Sequence, residues 1–245
     1  MKLRISKYLF LLVMAVFALS SCSENDDSYD AYANWQERNE QAFADTLDYA
    51  KKMGESQGWY VYRKWSLENQ TPNKDVNGVN VPLTYKDCDN IIVHVLEKGE
   101  GTASPMYTDS VRVSYRGSLI QTTDKDGSVN AGYVFDKTFE GTYNKQTAML
   151  STFAVSNVVD GFATALMRMH PGDHWMVYIP YQLGYGSTTS SSSTIPAYSM
   201  LRFEIVLDSY FSKLYSVLLH LIIYRGDIWG VPRYAGKATW ERSLC

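Results

Sequence analysis

Apolar positions change their spacing twice along this chain. Over residues 28 to about 56, Trp35, Phe43, Leu47, Ala50 and Met53 recur at helical intervals among acidic and basic residues. This predicts a helix, punctuated at its end by Gly54 and Gly58. From Gly58 to Asp89 the pattern is irregular. Trp59, Tyr60, Tyr62 and Trp65 give way to polar turn residues between Asn69 and Asn80, which reads as a connector with a strand or two.

From Asn90 the texture is that of strands. Ile91 to Leu96 is β-rich and stops at a glycine-containing turn, Lys98 to Gly101. Val111 to Arg116 alternates, with Val111, Val113 and Tyr115 on one face and Arg112, Ser114 and Arg116 on the other. Further strands are predicted from Trp175 to Ile179 and from Met200 to Leu207. One short helix intervenes, because Phe162, Ala165, Leu166 and Met169 fall at i, i+3, i+4 and i+7. Asp160 is placed to cap its N-terminus, and Pro171-Gly172 stops it. Antiparallel strands around one short helix define an α+β domain.

The first residues carry a targeting pattern. Lys2, Arg4 and Lys7 form a basic region, followed by an apolar run from Tyr8 to Leu19. That run is short for a membrane span, which needs roughly 20 apolar residues. It ends in Leu19-Ser20-Ser21-Cys22, which resembles the lipobox of bacterial lipoproteins, where the cysteine is lipidated and becomes the mature N-terminus. Residues 1–21 are then a lipoprotein signal peptide. Ser23 to Asp27 is acidic, similar to short signals that send some lipoproteins to the outer membrane, and equally the start of a solvated linker.

Composition removes several classes of function. A formal net charge of −3 is the wrong sign for a general nucleic-acid binder. The three cysteines form no CxxC pair. His170 and His174 are separated by Pro171-Gly172, which breaks any helix that would align them, so neither a metal nor another cofactor is expected. With Cys22 lipidated, Cys88 and Cys245 remain, and nothing in their spacing requires a disulfide. The 19 tyrosines favour an aromatic-lined recognition surface.

Six segments then fall in order. They are VRVSYRGSL from Val111 to Leu119, Val134-Phe135-Asp136, FAVSNVVDGFATALMRM from Phe153 to Met169, Gly172-Asp173, Ile179-Pro180 with Leu183-Gly184-Tyr185-Gly186, and Ile195-Pro196 with Leu201 to Leu207. Together they resemble the motif series of the FKBP-type peptidyl-prolyl cis-trans isomerases over about 120 residues. The resemblance implies a five- or six-stranded antiparallel sheet curled around one short helix, here preceded by an N-terminal helical segment. It also implies an apolar pocket with Tyr115, Phe135, Asp136, Val159, Phe162 and Tyr185 as catalytic positions. Val158, Ile195 and Phe203 are implied as further substrate contacts. The implied activity is isomerisation of X-Pro bonds in exported polypeptides, with no cofactor. The alternative is a binding or chaperone module with little turnover, and a third reading is a glycan-binding surface at Trp59 and Trp65.

The sequence departs from the family pattern in five places. Phe162 stands where the family usually has Trp, Gly184 replaces Ala, Ala197 replaces the second proline of IPP, the loop from Ser187 to Thr194 is rich in Ser and Thr, and a polar insertion from Gln121 to Gly132 resembles a longer hairpin loop. The expected plan is a signal peptide over 1–21, an acidic linker, helix and connector over 22–88, an isomerase domain over 89–210, and a C-terminal extension of unassigned role over 211–245. The lipid anchor would hold the protein on the outer membrane, facing the periplasm or the cell surface. The N-terminal helix serves either as a homodimer contact or as a layer packed on the following domain.

Overall fold

A computed structural model describes residues 30–188 and 194–212. The signal peptide, Cys22, the acidic linker start, the middle of the Ser/Thr-rich loop, Cys245 and nearly all of the C-terminal extension lie outside the described residues.

Helix α1, Trp35–Met53, ends at Gly54, whose φ of 67° is one that glycine adopts without a side-chain clash. Strand β1, Trp59–Arg63, follows. The remaining strands are β2 (Asn90–Glu97), β3 (Ser110–Ser118), β4 (Thr122–Thr123), β5 (Val129–Asn130), β6 (Val134–Lys137), β7 (Ser151–Ala154), β8 (His174–Ile179) and β9 (Leu201–Phe211). A second helix, α2, spans Asp160–Leu166. The main sheet runs β1-β2-β8-β9-β3-β6, with β7 also paired to β3, and every pairing is antiparallel. The sheet therefore has seven strands rather than five or six, because β1 and the short β7 both join it. β4 and β5 form a separate hairpin.

The α+β expectation holds, with α2 against one face of the sheet. Ile91, Ile92 and Val93 are all fully buried, so both faces of β2 are covered. A strand buried on both sides reads as an unbroken apolar run, which is what these three positions show. α2 packs on β2 and β8, and α1 packs on β1 and β2. The apolar face of α1, Trp35, Phe43, Leu47 and Ala50, belongs to the same core cluster as the sheet. Two buried hydrogen bonds fix that helix further. The Trp35 indole donates to Ser199 Oγ at 2.8 Å, and the Met200 N–H donates to Asn39 Oδ1 at 2.8 Å. Within the described chain, the packed-layer reading of α1 is the one its buried face supports.

Asp160 does not cap α2. Val159 occupies the N-cap position, and no side chain caps the helix. The Asp160 carboxylate instead meets Lys64 Nζ at 2.6 Å. An opposite charge offered by the residue after β1 wins over a local turn, which no short-range pattern could signal.

Across the sheet from α2, β9 carries a buried acid. Glu204 is 7% exposed and bonds Arg116 at 2.6 Å and His174 Nε2 at 2.9 Å. Burial works to raise the Glu204 carboxyl, but its His174 and Arg116 partners outweigh that and hold it below the usual carboxylate value. A lowered acid contributes stability that is present above its unfolded value, about 4.3, and lost as pH falls through the folded value. Denaturant melts between pH 7 and pH 3 are expected to show a loss of stability in that window. Glu204→Gln should flatten this part of the profile and cost about 2 kcal/mol at neutral pH, since it leaves Arg116 and His174 without their shared anion.

Candidate functional site

The site grows from β3. Its inward residues Val111, Val113 and Tyr115 are buried, as the alternation predicts. Gly117 follows on the same face, paired with Asp136 of β6 on one side and Phe203 of β9 on the other. A methyl group at Gly117 would lie 2.5 Å from the Phe135 ring and 2.7 Å from the Phe203 ring. The missing side chain is what lets these two rings meet over the strand.

They meet edge to face, with centroids 5.5 Å apart and planes at 85°. Phe162, rising from α2, packs edge-on against Phe203 at 4.9 Å and lies 6.2 Å from Tyr115. Phe153 of β7 touches Tyr115 at 5.6 Å. Such T-shaped pairs are the favourable geometry for aromatic quadrupoles. Tyr115, Phe162 and Phe203 are buried, whereas Phe135 and Phe153 are half-buried, so the cluster is a cup open on one side.

The cup encloses a cleft of about 230 Å³, lined by Tyr115, Phe135, Asp136, Phe153, Asn157, Val158, Val159, Phe162, Tyr185 and Phe203. The structure thus brings eight of the nine sequence-derived pocket residues together. Ile195 is the ninth: it is buried in the core cluster and is not among the lining residues. Phe153 and Asn157 line the cleft without having been singled out from the sequence. Both lie in the segment that carries Val158, Val159 and Phe162, and that segment's passage along the cleft edge was the available signal.

Polarity is confined to the rim. The Tyr115 hydroxyl donates to Asp136 Oδ2 at 2.5 Å. Burial, and then this bond to a carboxylate, push the Tyr115 phenol well above its ordinary value, so it stays protonated. Tyr185, on the far side, is 54% exposed, and burial followed by the nearby Asp136 charge raises its phenol too. Both phenols therefore remain donors at any physiological pH. Val159 stands at the N-cap of α2, where a backbone N–H has no intrahelical acceptor.

Trp59 and Trp65 do not form an open platform. Trp59 stacks on His94 at 4.4 Å, and Trp65 stacks on Tyr107 at 4.2 Å. Each offers one ring face to its own chain, and Trp65 also lines a separate cleft with Ser66, Glu68, Asn69, Gln70, Met167 and Arg168.

The described residues thus form an antiparallel sheet packed on a short helix, with an aromatic cup between them. Residues 101–208 match the family model described as FKBP-type peptidyl-prolyl cis-trans isomerase. The chain is 31% identical over 128 residues to the macrophage infectivity potentiator of Trypanosoma cruzi, covering 52% of this chain and 57% of that protein. It is 33% identical over 141 residues to the FKBP-type 22 kDa peptidyl-prolyl cis-trans isomerase of Escherichia coli (strain K12), covering 58% and 56%. It is 35% identical over 92 residues to the outer membrane protein MIP of Legionella longbeachae, covering 38% and 32%. The chain thus spans little more than half the length of the first two relatives, and about a third of the last.

Proposed function

We propose that the protein is a peptidyl-prolyl cis-trans isomerase, a folding catalyst for X-Pro bonds of exported polypeptides. The observation that carries this reading is the cleft itself: six aromatic rings and two valines around a space suited to one prolyl residue and its neighbours, with hydrogen-bonding groups only at the edge.

The amide barrier of about 18–20 kcal/mol comes from conjugation across the C–N bond. In the half-rotated state conjugation is lost and the carbonyl is less polar. A water-poor aromatic wall disfavours the planar, strongly dipolar ground state relative to the twisted one, and only such differential binding accelerates a reaction. In this mechanism Phe162 is the floor, and Phe135, Phe203, Tyr115 and Val158 are the walls. The Val159 N–H receives the carbonyl preceding the proline, and the Tyr185 hydroxyl donates to a second substrate carbonyl. Asp136, held by Tyr115, polarises the rim without exchanging a proton. A gain of about 4 kcal/mol from these effects corresponds to roughly a thousandfold in rate.

The envelope is the proposed site of action. The basic and apolar N-terminal residues with Cys22 support a lipid-anchored form, since acyl chains add about 0.8 kcal/mol per buried CH₂. The outer membrane protein MIP among the relatives supports the same placement.

A protease-coupled isomerisation assay on short X-Pro peptides tests the activity. The wild-type protein is expected to accelerate the cis-to-trans step, and Asp136→Ala and Tyr185→Ala to lower kcat/KM by about tenfold each while thermal stability holds. A well-folded protein with no rate above background would leave the cleft a binding site only.

A further inference from the structure

α2 carries the floor of the cleft and begins at Val159, yet it is only seven residues long. A helix that short has little stability of its own and takes its position from what surrounds it. On the sheet side Gly161 lies so close to β8 that a methyl group there would sit 2.3 Å from Ile179 Cγ2. On the other side the chain that leaves β1 runs beside the helix, bonding it twice and the turn that follows it once. Lys64 Nζ meets Asp160 Oδ2 at 2.6 Å, the Trp65 N–H donates to Thr164 Oγ1 at 3.2 Å, and Glu68 pairs with Arg168. Asp160 and Thr164 are four residues apart and share a helix face, with Arg168 one turn further on.

The segment is itself anchored. The Lys64 N–H donates to Asp89 O at 2.8 Å, the Trp65 ring stacks on Tyr107, and the Arg63 guanidinium lies 3.5 Å over the Tyr85 ring. Arg168 also lies over the Tyr62 ring at 5.2 Å. Thr164 is 1% exposed and its hydroxyl also donates to Asp160 O, so the middle link reaches into the packed body of the helix.

We infer that Lys64, Trp65 and Glu68 form a strap that positions α2, with Lys64 a positioning residue that sets Val159 and Phe162 for the isomerisation reaction. This rests on the isomerase reading above. Lys64 is not among the residues that line the cleft. It acts on Asp160, the residue between Val159 and Gly161, and a shift there moves both the N–H and the floor ring.

The test compares Lys64→Met, Asp160→Asn, their double variant and Lys64→Arg in the full chain. Small misplacements of groups that act in the twisted state lower kcat and spare KM. Lys64→Met and Asp160→Asn are each expected to lower kcat about fivefold, with KM unchanged. The double variant should be no worse than either single one, because both remove the same contact, and Lys64→Arg should recover most of the rate. Lowered thermal stability with kcat unchanged would overturn the inference. Amide hydrogen exchange read on the same samples keeps the two proposals apart. If the wild type shows no turnover, the isomerase reading falls, and the strap is judged by exchange at residues 159–162. Faster exchange there in Lys64→Met upholds it, and unchanged exchange overturns it.

Discussion

Phe162→Ala is expected to cost about 4 kcal/mol of stability, and with it a fall in Tm on the order of 10 °C. The ring is 4% exposed and contacts Tyr115 and Phe203 edge to face, so truncation removes buried apolar area and leaves a void under the cleft. The void cannot close by collapse of α2, because Gly161 already sits against Ile179. Calorimetry of the purified protein measures the loss. Phe162→Leu, which keeps most of the volume, should lose less than half as much. Equal losses for the two would mean that the aromatic edge contacts, rather than the filled volume, carry the stabilisation.

Gly117→Ala is expected to act in the opposite way, with a larger effect on activity than on stability. One methyl group would enter within 2.7 Å of both the Phe135 and Phe203 rings, which must swing away or close over the cleft. Overpacking of this kind costs about 1–3 kcal/mol, an affordable loss for a folded domain. The walls of the cup would be displaced by an ångström or so, and kcat/KM should fall by about a hundredfold. Near-ultraviolet circular dichroism would report the altered ring packing, and the isomerisation assay the lost rate. Full activity in a folded Gly117→Ala protein would show that Phe135 and Phe203 do not form the working wall.

Much of the site could be read from the sequence because it is built from regular strands. Val111, Val113 and Tyr115 alternate, and the alternation itself says that Tyr115 faces the core. Phe203 is two residues from Ile205 and four from Leu207 on the same strand, so its direction follows from theirs. The short helix announces Phe162 through its spacing with Leu166 and Met169. What could not be read depends on pairings between distant segments. Trp59 to Arg63 has large side chains at almost every position, so no period marks it as a strand, and only its register with Asn90 to His94 makes it one. Glu204 lies in an otherwise apolar run, and its burial is tolerable only because Arg116 and His174 come from two neighbouring strands. The departure of Asp160 from its expected cap role has the same origin in Lys64.

The Ser/Thr-rich loop and Ile195 show a different limit. The family resemblance placed Ile195 in the pocket wall, where a closing loop would bring it. In the structure the turn that follows is drawn toward α1, through the Ser199 hydroxyl that accepts from Trp35 and donates to Pro196 O at 2.6 Å. The tether comes from a helix outside the motif series, so the motifs alone could not report it. Tyr185 lines the cleft and is more than half exposed.

Exchange NMR on a short proline peptide, with the protein present in catalytic amount, examines the core of the account in one sample. The account predicts cis–trans exchange peaks growing in at least a hundredfold faster than in the free peptide, together with shifts of the Phe135 and Phe203 ring signals. Ring shifts on peptide binding with the exchange rate unchanged would contradict it, because the cup would then hold proline without easing its rotation.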